Sequence, residues 1–146
     1  MSVFSEIIAG RIPGRFAYAD GACVVFATIE PIAHGHMLVV PRTEVAKFTD
    51  LPEADFAHLA VVAQRVGKAG EKAFHAPRAM VVIAGMEVPH VHLHVIPAHS
   101  EADIRFANAM KNVPDDVLDS DTEKLREALR ELGYAQYVPA DIHHLA

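Results

Sequence analysis

A chain of 146 residues, 51% of them hydrophobic, is long enough to bury a core of its own without disulfide staples. Its 13 Lys and Arg against 19 Asp and Glu leave a net charge of −6 with histidine neutral. That balance argues against binding a nucleic acid polymer, which needs a basic surface, but leaves room for a small phosphate ligand. Cys23 is the single cysteine, so an intrachain disulfide is excluded. No apolar run reaches bilayer length, and Met1-Ser2-Val3-Phe4-Ser5-Glu6 lacks the basic start of an export signal. A cytoplasmic protein without membrane partners is the resulting expectation.

Residues 5–12 fit a brief helix or turn, stopped by Pro13-Gly14. Residues 16–20 and 23–29 read as two strands around the turn Asp20-Gly21, an Asp-Gly hairpin signal. Cys23-Val24-Val25-Phe26 is apolar on both faces, which predicts a central strand covered on both sides. After Glu30-Pro31 and His34-Gly35, residues 36–40 predict a third strand ended by Pro41. Phe56, Leu59, Ala63, Val66, Gly70 and Ala73 or Phe74 recur at three and four, the stripe of an amphipathic helix. Thr49 or Asp50 is its predicted cap, and Pro77 closes it. Strands at 80–84 and 89–97 follow, then a helix over 122–132 stopped by Gly133. The order β-β-β-α-β-β-α, with neighbouring strands in hairpins, predicts one α+β domain over residues 1–146 with a mainly antiparallel five-stranded sheet and two helices.

Of the ten histidines, His90, His92 and His94 alternate with Val91, Leu93 and Val95. Strand geometry puts the three rings on one face, roughly 6–7 Å apart, and the apolar set on the other. Three readings of this row stand open. It is a solvated edge strand, or a zinc site completed by His34, His36, Glu87 or His99, or a nucleophilic imidazole with neighbours that orient it. Against the zinc reading, Cys23 is distant in sequence and no paired-cysteine or His-Glu-x-x-His spacing supports it. His58, His75, His143 and His144 are expected at the surface, and the acidic run from Asp115 to Glu123 as a solvated loop and helix start.

His90-Val91-His92-Leu93-His94-Val95-Ile96 resembles the signature of the histidine-triad (HIT) family of nucleotide hydrolases and transferases. Phe4 to Pro13 is similar to that family's opening segment. Ile29-Glu30-Pro31, followed by Gly35 to Pro41, is similar to its second signature. The resemblance covers residues 4–97 and leaves 98–146 as a C-terminal extension. It implies a HIT-like fold, a homodimer and a small nucleotide substrate, with no cofactor required.

By the same resemblance His92 is the nucleophile that attacks the α-phosphate and forms a nucleotidyl-histidine. Its second ring nitrogen would donate to a carbonyl of the same strand. His94 and His36 would stabilise charge on the phosphate oxygens, and His90 would support the strand. Phe4, Ile7, Phe26 and Ile29 would line the base pocket. His94 stands where the transferase branch carries Gln, which favours a hydrolase of phosphoramidates or dinucleoside polyphosphates. A zinc-dependent hydrolase using the His row, and a non-catalytic nucleotide-binding module, are the alternatives. Several positions depart from the pattern. Thr28 stands where relatives carry a ribose-binding Asp, Met86 where they carry Gln, and Glu87 where a small hydroxyl residue lies near the phosphates. Glu44 replaces a His, and residues 79–85 form a shortened stretch without the usual Asn.

Overall fold

A computed structural model describes residues 1–145. In chain order it contains α1 (Val3–Ile8), β1 (Phe16–Ala19), β2 (Cys23–Ala27), β3 (Met37–Pro41), α2 (Glu53–Phe74), β4 (Arg78–Val82), β5 (Leu93–Ala98) and α3 (Asp115–Leu129). The strands form one antiparallel sheet in the order β1-β2-β3-β5-β4. This is the α+β architecture expected from the order of elements, with the short α1 as a third helix beside the two long ones.

The β1–β2 hairpin turns where Asp-Gly predicts it. One carboxylate oxygen of Asp20 accepts the amides of Ala22 and Cys23, each at 2.8 Å, so the side chain closes the turn on its own backbone. β2 then runs between β1 and β3 and is buried on both faces. Cys23 and Val25 join Met37, Val39, Leu93 and Val95 beneath α2 and α3. Val24 and Phe26 face the other way, against Phe4 of α1, Phe16, Leu38 and Val40. Each aliphatic side chain buried fully in this way contributes roughly 1.5–3 kcal/mol.

α2 presents the expected stripe: Leu59, Val62, Ala63, Val66 and Ala69 are buried. Gly70 lets the helix settle close on β5, since a Cβ there would lie 3.0 Å from the ring of Pro97. The predicted cap at Thr49 or Asp50 is replaced by a separate 3-10 turn over Phe48–Asp50. The helix begins after Pro52, with Glu53 and Asp55 in its first turn. Proline suits that position because a helix start has no partner for its missing N–H. His75 ends the helix in the left-handed conformation, its amide bonded to the carbonyl of Glu71.

Three boundaries differ from the sequence expectation. β4 is Arg78–Val82, two residues earlier than predicted. β5 begins at Leu93, not 89, because the chain bends through residues 86–90 and the amide of His90 folds back onto the carbonyl of Val88 at 2.8 Å. The side-chain alternation still holds: Val91, Leu93 and Val95 are buried under the helices, while the histidines take the opposite side. α3 is Asp115–Leu129 and not 122–132; the acidic run is its first half, with Asp115 and Asp116 at the positive end of the helix dipole. Its pattern is hard to read because Arg126, a charged residue in sequence, is buried. The guanidinium donates to the carbonyls of Phe16 at 2.6 Å and Pro139 at 2.7 Å, tying the tail to β1. Among the described residues no helix is long and apolar enough to cross a membrane.

Candidate functional site

The α1 side of the sheet brings together His36, His90, His92 and His94, and backbone partners fix how each ring holds its proton. A carbonyl can only accept, so the 2.7 Å contact between His92 Nδ1 and the carbonyl of His90 places a proton on Nδ1. The other nitrogen, Nε2, is then a free lone pair. An amide can only donate, so the 3.0 Å bond from Ile32 N–H leaves His36 Nδ1 without a proton. His36 in its neutral form therefore carries its proton on Nε2 and donates it to His94 Nδ1 at 2.9 Å. His94 in turn holds its own proton on Nε2. The row thus sets a lone pair on His92 beside an N–H donor on His94, with ring centroids 4.9 Å apart.

Burial keeps these rings neutral. It pushes His36 down to about 3 and His94 down to about 4, with the neighbouring imidazoles adding to the effect, and it lowers His92 as well. Gly35 positions His36: it is left-handed (φ 87°), and a Cβ there would lie 2.3 Å from the ring of Phe74. His90 is wholly buried. Its Nε2–H donates to the carbonyl of Pro41 at 2.7 Å, and its Nδ1 accepts from the hydroxyl of Ser2 at 2.7 Å.

The remaining predicted residues spread outwards from the row. Phe4 meets His92 edge to face at 4.8 Å and packs on Phe26, which is itself core. Ile7 is half-buried on the same helix and packs toward Gly14. Thr28 is half-buried; its amide bonds to the carbonyl of His36 and its hydroxyl accepts the amide of Glu30. Ile29 is exposed at 69%, unusual for an aliphatic residue beside a core. Met86 and Glu87 are exposed on the bend between β4 and β5.

Other features have no clear signal in the sequence. Glu44 accepts the amide of Ser2 at 2.5 Å and the hydroxyl of Ser5 at 2.7 Å. Those bonds hold its carboxyl down at about 2. Phe106, in the extension beyond the family resemblance, sets its ring 5.1 Å from His94. His34 is bound to Asp121 at 2.6 Å, and His58, expected at the surface, is bound to Asp20 at 2.7 Å.

That last pair belongs to a second cluster, on the α2 side of the sheet. Asp20, Cys23 and His58 offer a carboxylate oxygen, a sulfur and an imidazole nitrogen that lie within 4.8 Å of one another. The donor set suits zinc. Burial raises the Cys23 thiol, so metal binding here would have to release its proton. The hairpin turn and α2 bring these three residues together, and their spacing along the chain matches no metal motif.

A family model described as HIT domain matches residues 9–101. The chain is 32% identical over 134 residues to an uncharacterized HIT-like protein of Mycobacterium tuberculosis, covering 88% of this chain and 93% of that one. It is 32% identical over 100 residues to an adenosine 5′-monophosphoramidase of Saccharomyces cerevisiae, covering 68% of this chain and 63% of that one. Its fold superposes on the crystal structure of a Zn-bound histidine triad family protein from Mycobacterium smegmatis with a TM-score of 0.79. That match has 29% identity and covers 91% of this chain and 96% of the other.

The zinc of that structural relative and the Asp20–Cys23–His58 donors correct the expectation that no cofactor is required. The opening segment, the second signature and the histidine row carry the resemblance to that family. With the family model over residues 9–101, they make this chain a member of the HIT domain family, a family of nucleotide hydrolases and transferases.

Proposed function

We propose that the chain is a nucleotide hydrolase that cleaves a nucleoside 5′-phosphoramidate or phosphoanhydride at the α-phosphate, with His92 as nucleophile. The observation that carries this reading is the fixed pair of tautomers: a free lone pair on His92 Nε2 next to an N–H donor on His94 Nε2. In the first step His92 Nε2 forms a bond to the α-phosphorus while the bond to the leaving group breaks. A phosphate leaves as its anion, and an amine leaves with a proton supplied by His94, His36 or a water. The Nδ1–H of His92 remains on the carbonyl of His90, which stabilises the cationic ring of the intermediate. His94, backed by His36, donates to a non-bridging phosphate oxygen as charge gathers there. Water then cleaves the P–N bond to His92 and releases the nucleoside monophosphate. His90 holds the strand that carries this machinery. Phe4, Ile7, Phe26 and Ile29 supply apolar surface for the base, Thr28 offers one hydroxyl to the ribose, and Glu87 faces a cationic leaving group.

The second reading, the alternative of a zinc-dependent hydrolase using the His row, takes support from the zinc of the structural relative, while the Asp20–Cys23–His58 donors are a further place for the metal. Cys23 lies in the core under α2, whereas His92 packs on Phe4 across the sheet, so this donor set is separate from the histidine row. Bound there, zinc would cross-link the β1–β2 turn to α2 and hold Cys23 as a thiolate. A homodimer is proposed through the edge strand β4, where Val81 is exposed beside an apolar groove of about 440 Å³ formed with α2. Residues 1–146 are taken as one domain.

The test is release of AMP from adenosine 5′-phosphoramidate and from Ap4A, by wild type and His92→Ala, before and after chelation. Release that survives chelation and is absent from the variant supports the covalent route. Release lost on chelation and restored by zinc supports the second reading. Nucleotide binding without turnover would make the protein a binding module.

A further inference from the structure

The hydrogen bonds around Glu44 converge on the nucleophile from behind. Glu44 Oε1 takes the amide of Ser2 and the hydroxyl of Ser5. Since the Ser5 hydroxyl is committed to Glu44, it is the hydroxyl of Ser2 that gives its proton to His90 Nδ1, while its oxygen accepts the amide of Ser5 at 3.0 Å. His90 passes its Nε2–H to Pro41, so its ring is held at both nitrogens. The backbone next to Glu44 acts on the same extended segment: the carbonyl of Val45 accepts the amide of Val91, the residue between His90 and His92, at 2.8 Å. Finally α1, which Ser2 caps, carries Phe4 onto the face of the site, 4.8 Å from His92 and 6.0 Å from His90.

We propose that Glu44, acting through Ser2, Ser5 and His90, is a positioning residue for His92. The inference rests on the nucleophilic role given to His92 above. The carboxylate holds α1 and, through Ser2, the His90 ring, while the carbonyl of Val45 beside it holds the backbone at residue 91. These three supports decide where the carbonyl of His90 stands. That carbonyl sets the His92 tautomer, and Phe4 limits the tilt of the ring. Without the carboxylate, Ser5 loses its acceptor and its hydroxyl is free to compete with Ser2 for His90 Nδ1, which it already approaches at 3.4 Å. The carbonyl of His90 then has more than one resting place, and the lone pair of His92 is no longer aimed.

Glu44→Ala and Glu44→Gln in the full chain test this with two readouts. The first is the imidazole ¹⁵N–¹H spectrum of His92, which reports the tautomer with no substrate present. Wild type and Glu44→Gln, whose amide oxygen accepts the same two bonds, are expected to show a single Nδ1–H form, and Glu44→Ala a mixture. The second is turnover of adenosine 5′-phosphoramidate. Here Glu44→Ala is expected to lower kcat about ten- to a hundredfold with KM changed less than threefold, the loss expected of a misaimed nucleophile. Glu44→Gln should recover most of that loss.

If Glu44→Ala does not fold, Ser2→Ala takes its place: it removes the hydroxyl that holds His90 Nδ1 and leaves Ser5 as the nearest replacement, and it is expected to shift both readouts the same way. A single His92 tautomer and wild-type kcat in a variant that merely melts earlier would overturn the proposal. A wild-type protein that releases no AMP while Glu44→Ala still scrambles the tautomer would sink the reaction and leave the positioning role standing.

Discussion

On the α1 side of the sheet, His36, His92 and His94 bond to backbone groups and to one another, and their rings are kept neutral by burial. On the side covered by α2 and α3, His58 and His34 are each held by an aspartate. The same residue type therefore does two kinds of work. Desolvation without a countercharge preserves a basic, uncharged nitrogen, and fixed backbone donors and acceptors choose which nitrogen it is. A carboxylate partner makes the ring a tie between elements and, where a thiol is added, one arm of a metal donor set. The nucleophile proposed at His92 suits the first side, and a structural cross-link suits the second.

Breaking this contrast at the proposed nucleophile carries the largest expected effect. His92→Ala should lower AMP release at least about a thousandfold while nucleotide binding by calorimetry persists. Next, His94→Ala should cost on the order of a hundred- to a thousandfold in kcat, the size of a lost donor to a charged transition state, and His36→Ala somewhat less because it acts through His94.

Gly35→Ala tests the support beneath His36. A left-handed backbone and the ring of Phe74 both oppose a Cβ, and a loss of about 2 kcal/mol or more is expected in denaturant titration.

The pH dependence follows from the buried pair on the α1 side. His36 and His94 are lowered to about 3 and about 4 in the folded state, against about 6.5 in the unfolded chain. The unfolded state therefore binds more protons between those values, so their contribution to stability is complete above about pH 6.5 and is lost as pH falls through the window. The melting temperature should drop on acidification from pH 7 to 4, and His36→Gln should flatten that slope. The smallest effect is expected at the metal donors. Chelation of zinc-loaded protein should lower the melting temperature by a few degrees, and Cys23→Ser should lower zinc stoichiometry measured by atomic emission.

Much of the histidine row is legible in the sequence because alternation on an extended chain is a local property. Val91, Leu93 and Val95 are buried and the histidines oppose them even where the β ladder has not yet begun. Its partner His36 is legible only through the second signature, since the 2.9 Å bond to His94 spans residues 58 apart in sequence. Glu44, Ser2 and Ser5 read as an isolated departure and two ordinary serines; nothing in their spacing says that one carboxylate collects them. Arg126 shows the same limit in the opposite direction, where a residue that reads as solvated is buried because distant carbonyls receive it.

The sequence by itself determined the α+β class, the hairpin at Asp20-Gly21, the apolar stripe of α2 and the family, because each depends on residues a few positions apart or on a continuous motif. Only the tertiary structure decided the proton positions of the row, the grouping of Asp20 and Cys23 with His58, and the anchoring of α1 to His90 through Glu44. Each of those is a hydrogen bond or donor distance of a few ångströms between segments far apart in the chain, set by how the sheet stacks them and invisible to any local pattern.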